Sequence, residues 1–296
     1  MVFQSSLPKL LITGASGFLG WHLCQLAVAQ WDVYGTYHTH PQPLAGVKTL
    51  PVNLTDFHAV QRLVNDLQPS AVIHAAAQSQ PNICQTDPVA AYAINVAAAQ
   101  NLAGLCADAA IPFAFTSTDL VFDGLNSPYR ETDPLCPVNR YGEQKAIAET
   151  RILERHPTAA ICRMPLMFGS APTALSCLQG FLQTLRQGEA LRLFCDEFRT
   201  PVSGRDAAAG LLLALQSVQG RIHLGGRERL SRYEFGLLMA QAFQLNQATL
   251  SPCRQADVPM SAPRPPDVSL DSARAFSLGY SPGLVKDELA ALSALG

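Results

Sequence analysis

Residues 9–20 read Lys9-Leu10-Leu11-Ile12-Thr13-Gly14-Ala15-Ser16-Gly17-Phe18-Leu19-Gly20. A short apolar run cut by glycine is the pattern of a buried strand, and helical periodicity starts at Phe18 and continues to about residue 30. Between the two, Gly14 permits a tight turn, Gly17 lets a phosphate approach the backbone, and Gly20 lets the helix pack closely on the strand. The N–H groups of Ser16, Gly17, Phe18 and Leu19 then stand at a helix N-terminus, where a pyrophosphate is favoured.

The same alternation continues along the chain. Strands are predicted at 32–36, 47–52, 71–74, 113–116 and 159–162. Helices are predicted after the Asp56 N-cap, over 89–109 and over 139–155. Alternating strands and helices imply parallel pairing with right-handed crossovers, and near-continuous apolar strands imply a sheet covered on both faces. The fold class is therefore α/β, a Rossmann-type doubly wound parallel sheet. After Arg163 the rhythm breaks at Pro165, Gly169 and Pro172. Helices are expected at 174–186, 206–217 and 231–243, the last with Ser231 and Glu234 as a capping box. A strand at 222–224 returns to the sheet, and 252–266 is irregular. The expected division is a dinucleotide-binding unit of 1–165 plus 200–226, and a smaller substrate-binding unit of 166–199 plus 227–296.

Composition narrows the function. The 296 residues are 48% hydrophobic, with 21 Lys+Arg against 23 Asp+Glu and a formal net charge of −2. That is enough apolar material for a large core, and it gives no electrostatic case for nucleic acid or a membrane surface. The eight cysteines form no C-x-x-C pair, which points to free thiols in a reducing compartment. The first eight residues lack a signal-peptide pattern and no apolar run of spanning length is evident. A cytoplasmic protein is expected, without clustered His/Cys metal ligands.

Tyr141-Gly142-Glu143-Gln144-Lys145 places Tyr141 and Lys145 at i and i+4, on one face of a predicted helix. Reduction of a ketone needs a proton for the oxygen. A phenol beside an ammonium, whose charge lowers the phenol pKa, is a candidate donor. Thr118 follows the fifth strand, at the carboxyl end where ligands bind in such sheets; its hydroxyl is a candidate to orient the carbonyl, and Asp119 one to hold a sugar hydroxyl. Ala75, Ala76 and Ala77 follow the fourth strand and are small enough for a cofactor to lie on the backbone.

The G-x-x-G-x-x-G spacing and the Tyr141/Lys145 pair resemble the extended short-chain dehydrogenase/reductase family. The resemblance implies a nicotinamide dinucleotide, with Lys145 reaching the nicotinamide ribose, Asn53 standing where the family has an aspartate near the adenine, and Asn95 where it has a structural asparagine. Leu54 and Thr116 join the cofactor side. The second strand ends Gly35-Thr36-Tyr37-His38-Thr39-His40 with neither carboxylate nor arginine. Thr36, His38 or Thr39 is then left to meet a 2′-phosphate, and NADPH is favoured over NADH. The run Ser117-Thr118-Asp119-Leu120-Val121-Phe122-Asp123-Gly124, with Pro128-Tyr129-Arg130-Glu131, Arg199-Thr200-Pro201 and Arg264-Pro265, is similar to the dTDP-4-dehydrorhamnose reductase group. The likeness implies reduction at C4 of a nucleotide-diphosphate 6-deoxy-4-keto sugar, in dTDP-rhamnose biosynthesis. Arg199 and Arg264 are candidate diphosphate contacts. Leu120 and Leu166 replace an aromatic and a tryptophan of that group. The group also includes the regulatory beta subunit of methionine adenosyltransferase, so a cofactor-binding regulatory subunit with a protein partner, a homodimer, and a reductase or epimerase acting on another carbonyl stand as alternatives.

Overall fold

The computed structural model describes residues 7–39, 43–174 and 176–294. Six strands of the main sheet are β1 (Lys9–Thr13), β2 (Asp32–Tyr37), β3 (Val47–Pro51), β4 (Ala71–His74), β5 (Phe113–Thr118) and β6 (Ala160–Met164); the seventh is Gly220–His223. Their spatial order is β3-β2-β1-β4-β5-β6 and then Gly220–His223, every pair parallel. The chain leaves β1 in one direction and returns at β4 in the other, so the carboxyl ends of β1 and β4 open a crevice between them.

Alternate residues of each strand serve opposite faces, and both faces are dry. Leu10, Ile12, Val33 and Ile73 pack with Leu23 and Leu211 from the helices Phe18–Ala27 and Gly204–Ser217. Leu11, Val72, Phe113 and Phe115 pack on the other side with Val60, Leu102 and Ile152. A third core, with Phe168, Leu178, Phe235, Met239 and Leu289, belongs to the later segments. There Leu250–Cys253 pairs with Leu191–Phe194; this strand lies at the edge of a region whose prolines predicted only irregular chain. Ala275 and Tyr280 turn back into the first core.

Several boundaries differ from expectation. The first helix ends at Ala27, and the fifth strand runs on to Thr118. The helix expected over 174–186 spans Cys177–Arg186, its start set by the Ser176 capping box. A helix at Pro81–Thr86 was not foreseen. The helix Pro88–Asp108 is long and apolar enough to cross a membrane by length and composition, contrary to the sequence reading; half of it is buried inside the fold, through Ala99, Leu102 and Cys106. All eight cysteines are free thiols.

A charged knot at β5 joins four elements. Glu149 accepts from Arg163 at 3.0 and 2.8 Å, from Arg221 at 3.0 Å and from Ser117 at 2.6 Å. Arg163 and Glu149 are fully buried, so the pair holds because every carboxylate oxygen is satisfied. His223 sits alongside, accepting at Nε2 from Arg163, with Nδ1 facing the Tyr129 carbonyl.

Two outcomes follow from this packing. A Cβ at residue 20 would stand 2.0 Å from the Gly14 carbonyl oxygen, whereas one at residue 180 meets nothing within 4 Å. Gly20→Ala therefore lowers unfolding stability by at least ~2 kcal/mol, and Gly180→Ala, inside a helix, raises it by ~0.5–1 kcal/mol; paired urea titrations read both. Burial holds His74 and His223 neutral, down to about 3 in each case. The unfolded chain takes up these protons near pH 6.5 while the folded chain does not, so stability falls as pH falls. Between pH 7.5 and 5.5 the loss from the two is roughly 3 kcal/mol; urea midpoints unchanged over that interval would contradict it.

Candidate active site

The crevice opens into a cleft of about 1110 Å³ that runs from the glycine loop to the later segments. At one end, the helix Phe18–Ala27 starts at Gly17 with no side-chain cap, leaving its first N–H groups to a ligand. Gly14 has φ +70° and lies so close to β4's extension that a Cβ would stand 2.8 Å from the backbone of Ala76. Ser16, Gly17, Phe18, Leu19 and Gly20 line this end, with Ala75, Ala76 and Ala77 opposite. A bare helix start facing small residues is a cradle of the right chemistry for a dinucleotide pyrophosphate.

His38, Asn53 and Leu54 line the adjoining wall, as expected. His38 is exposed, and His40 lies outside the described residues. Asn53 accepts from Thr55 through Oδ1, at 3.1 Å from its N–H and 2.8 Å from its hydroxyl. Thr36 also lines the cleft; it is buried, and its hydroxyl oxygen accepts from the Gly14 N–H at 3.3 Å, so it braces the glycine turn. Thr116 lines the cleft while its hydroxyl donates to the His74 carbonyl. Asn95 holds a structural place, as the resemblance implies, and not a cofactor contact. It sits in a widened helical turn, Ala93–Ala98, with its side chain bonded to both backbone groups of Gln78 and to Gln144, and it is not part of the cleft wall. It fixes the loop after Ala77 from behind.

Tyr141, Lys145 and Thr118 meet on the floor. Asn139 caps the helix Arg140–Arg155, and residue 142 is glycine where a Cβ would stand 2.0 Å from the Leu120 carbonyl oxygen. The helix thus presses Tyr141 against the turn Asp119–Val121. Burial raises the Tyr141 phenol well above its ordinary value, with Cys84 and Asp119 adding to the rise and Thr118 and Arg199 opposing it. The expected lowering by Lys145 is overturned: desolvation dominates, and Lys145 lies 4.2 Å over the Phe115 ring. Burial brings Lys145 itself down to about 7, against the pull of Glu149 and Cys84.

Thr118 was expected to donate to a substrate oxygen. Here its one hydrogen goes to Asp119 at 3.2 Å, and its oxygen accepts from the Leu120 N–H. Asp119, expected to hold a sugar hydroxyl, is buried and pairs with Arg199 through both oxygens, at 2.7 and 2.8 Å. Arg199, expected at a diphosphate, is held by Asp119 and by Glu197 at 3.3 Å. These two residues form an ion pair across the base of the cleft. Arg264 lines the cleft and bonds to Asn82 and the Ala262 carbonyl. Arg192, Glu197, Arg232, Phe181 and Met260 also line it and were missed; they come from separate elements, and no local spacing marks them. No group of three His, Cys, Asp or Glu side chains able to hold a metal occurs among the described residues.

The beta subunit of methionine adenosyltransferase 2 from Pongo abelii is 31% identical over 281 residues, covering 92% of this chain and 82% of that protein. A probable low-salt glycan biosynthesis reductase, Agl14 of Haloferax volcanii, is 32% identical over 291 residues and 96% of each chain. The structure of dTDP-4-dehydrorhamnose reductase from Bacillus anthracis, in complex with NADP, has the same fold, with a TM-score of 0.87 over 98% of this chain and 100% of that one at 21% identity. Residues 8–288 match the family described as RmlD substrate binding domain. That match takes in the glycine loop, the Tyr141 helix and the later segments of the cleft together, and the chain belongs to this family.

Proposed function

We propose that this protein is an NADPH-dependent reductase of a nucleotide-diphosphate sugar carrying a 4-keto group. The observation that carries the reading is the convergence of Tyr141, Lys145 and Thr118 on the floor of a cleft whose other end is the bare helix start after Gly14. The reductase relative from Haloferax volcanii, alike over nearly its whole length, supports it. The working division is a cofactor unit of 1–165 with 200–226 and a substrate unit of 166–199 with 227–296.

Gly14 to Gly20 would hold the pyrophosphate, Ala75 to Ala77 would lie under the cofactor, and His38 would meet a 2′-phosphate. When bound, the reduced nicotinamide supplies the hydride. Tyr141 gives the proton to the substrate oxygen. Its raised pKa keeps it protonated at neutral pH, and a donor this weak relies on the charge that the substrate oxygen gains to draw the proton off. Lys145, one helical turn on, holds the ribose, and its lowered pKa makes the free amine accessible near pH 7. Thr118 positions the carbonyl once its hydrogen is released from Asp119. Arg264, Arg232 and Arg192 supply positive charge for the diphosphate.

The methionine adenosyltransferase beta subunits favour a second reading, a cofactor-binding regulatory subunit. Retained Tyr141 and Lys145 do not distinguish the two, because fold and site can outlast turnover. Co-elution with a methionine adenosyltransferase catalytic subunit on a sizing column, without reductase activity, would favour it.

Oxidation of NADPH, followed by absorbance with a dTDP-4-keto-6-deoxy sugar, tests the main reading. Tyr141→Phe should lower kcat by 10²-fold or more while NADPH binding by calorimetry stays within about twofold. Full activity in Tyr141→Phe would remove the proposed proton donor.

A further inference from the structure

Asn139 is buried, and both ends of its side-chain amide are engaged. Oδ1 accepts from the Gly142 N–H at 3.0 Å, which caps the helix carrying Tyr141 and Lys145. Nδ2 donates to the Pro263 carbonyl at 3.0 Å, 124 residues away in sequence. The partners fix the amide's orientation, since a backbone N–H only donates and a carbonyl only accepts.

Pro263 belongs to the loop 258–266, which brings Met260 and Arg264 to the cleft wall. Asn82 holds the same loop from the helix Pro81–Thr86: its Oδ1 accepts from the Ala262 N–H at 3.3 Å and from Arg264 at 3.1 Å. The loop has few hydrogen bonds of its own to fix it, because Pro263, Pro265 and Pro266 carry no N–H. Asn139 and Asn82 hold its middle, while at its far end the Phe198 N–H donates to the Pro266 carbonyl at 2.8 Å and Gln255 Nε2 to the Pro265 carbonyl at 3.5 Å.

We infer that Asn139 is a positioning residue that ties the proton-donor helix to the loop carrying Arg264, so that one amide fixes the reacting end and the substrate-side wall in a common frame. The inference rests on the reading of the cleft as a joint cofactor and substrate site, but the tie itself is measurable without ligand.

The two halves of the role are chemically separable. A carboxylate caps a helix as well as an amide does, but it cannot donate to a carbonyl and repels it. Asn139→Asp therefore keeps the cap and cuts the tie, whereas Asn139→Ala removes both. Hydrogen exchange of the free full-length chain, read by mass spectrometry, should show residues 258–266 exchanging about fivefold faster in Asn139→Asp with 140–155 unchanged. In Asn139→Ala both segments should exchange faster. Asn139→Ser, which caps through a shorter side chain, should repeat the aspartate pattern and serves if Asn139→Asp fails to fold. Parent-like exchange of 258–266 in the folded capped variants, or equal loosening of both segments, overturns the inference.

Calorimetry supplies the second measurement. The dissociation constant for dTDP should weaken about fivefold in Asn139→Asp while that for NADPH is unchanged; a parent-like dTDP constant in a variant with a loosened loop also overturns it. If the parent binds no dTDP, the nucleotide-sugar reading fails, and the exchange pattern alone decides the tie.

Discussion

The Arg140–Arg155 helix lies against the turn after β5 only because residue 142 has no side chain; any Cβ there would fall 2.0 Å from the Leu120 carbonyl oxygen. Much of the site hangs on that approach. It presses Tyr141 toward Thr118. One turn further, Gln144 reaches Asn95 and fixes the loop behind the cofactor side. Lys145 comes to rest over Phe115, and Glu149 enters the knot with Arg163, Arg221 and Ser117. A helix displaced by the width of a methyl group would disturb all four at once, since close-packed interiors do not absorb such shifts cheaply.

Burial governs the electrostatics of the floor. Tyr141 and Lys145 both move toward their neutral forms, and in each case desolvation is the largest cause. The full charges lie beside them, where the single Arg199 guanidinium is shared by the carboxylates of Asp119 and Glu197. Two carboxylates against one guanidinium, together with the buried setting, keep the proton on the phenol. The phenol stays neutral for a reason that lies in solvation rather than in the Tyr–Lys spacing itself.

The sheet, its parallel pairing and the glycine loop were legible because each rests on local chemistry: apolar runs of strand length, glycines at a turn, caps such as Asp56 and Ser231. The Tyr141/Lys145 pair was legible for the same reason, since four residues on a helix are neighbours wherever the helix goes. The roles of Arg199 and Asp119 were not. An arginine's partner is set by which strand end lies opposite, and Asp119 lies 80 residues from Arg199 in sequence. The partners of Thr36 and Asn95 were hidden similarly: Thr36 lines the cleft while accepting from the Gly14 N–H, and Asn95 is tied to Gln78 and Gln144 behind it. Asn139 was visible only as the start of the predicted helix 139–155, because its second bond reaches a loop that sequence patterning left irregular.

The substrate side departs from the sugar-binding group at Leu120 and Leu166, and the structure gives the departure a physical meaning. Both line the cleft, with Phe181 and Met260 beside them and Arg192, Arg232 and Arg264 also contributing. Leucine offers neither a ring to stack on a sugar nor a hydrogen bond to a hydroxyl. Hydroxyl recognition in this part of the cleft is therefore weak, and a hydrophobic wall discriminates poorly between ligands that differ by one polar group. On the proposed reading, the arginines would bear the orienting role instead, through charge-assisted bonds to an anion. On that reading the site would be selective for the phosphate-bearing portion of its ligand and tolerant at the reacting ring, because charge-assisted bonds orient the one and only apolar contact meets the other.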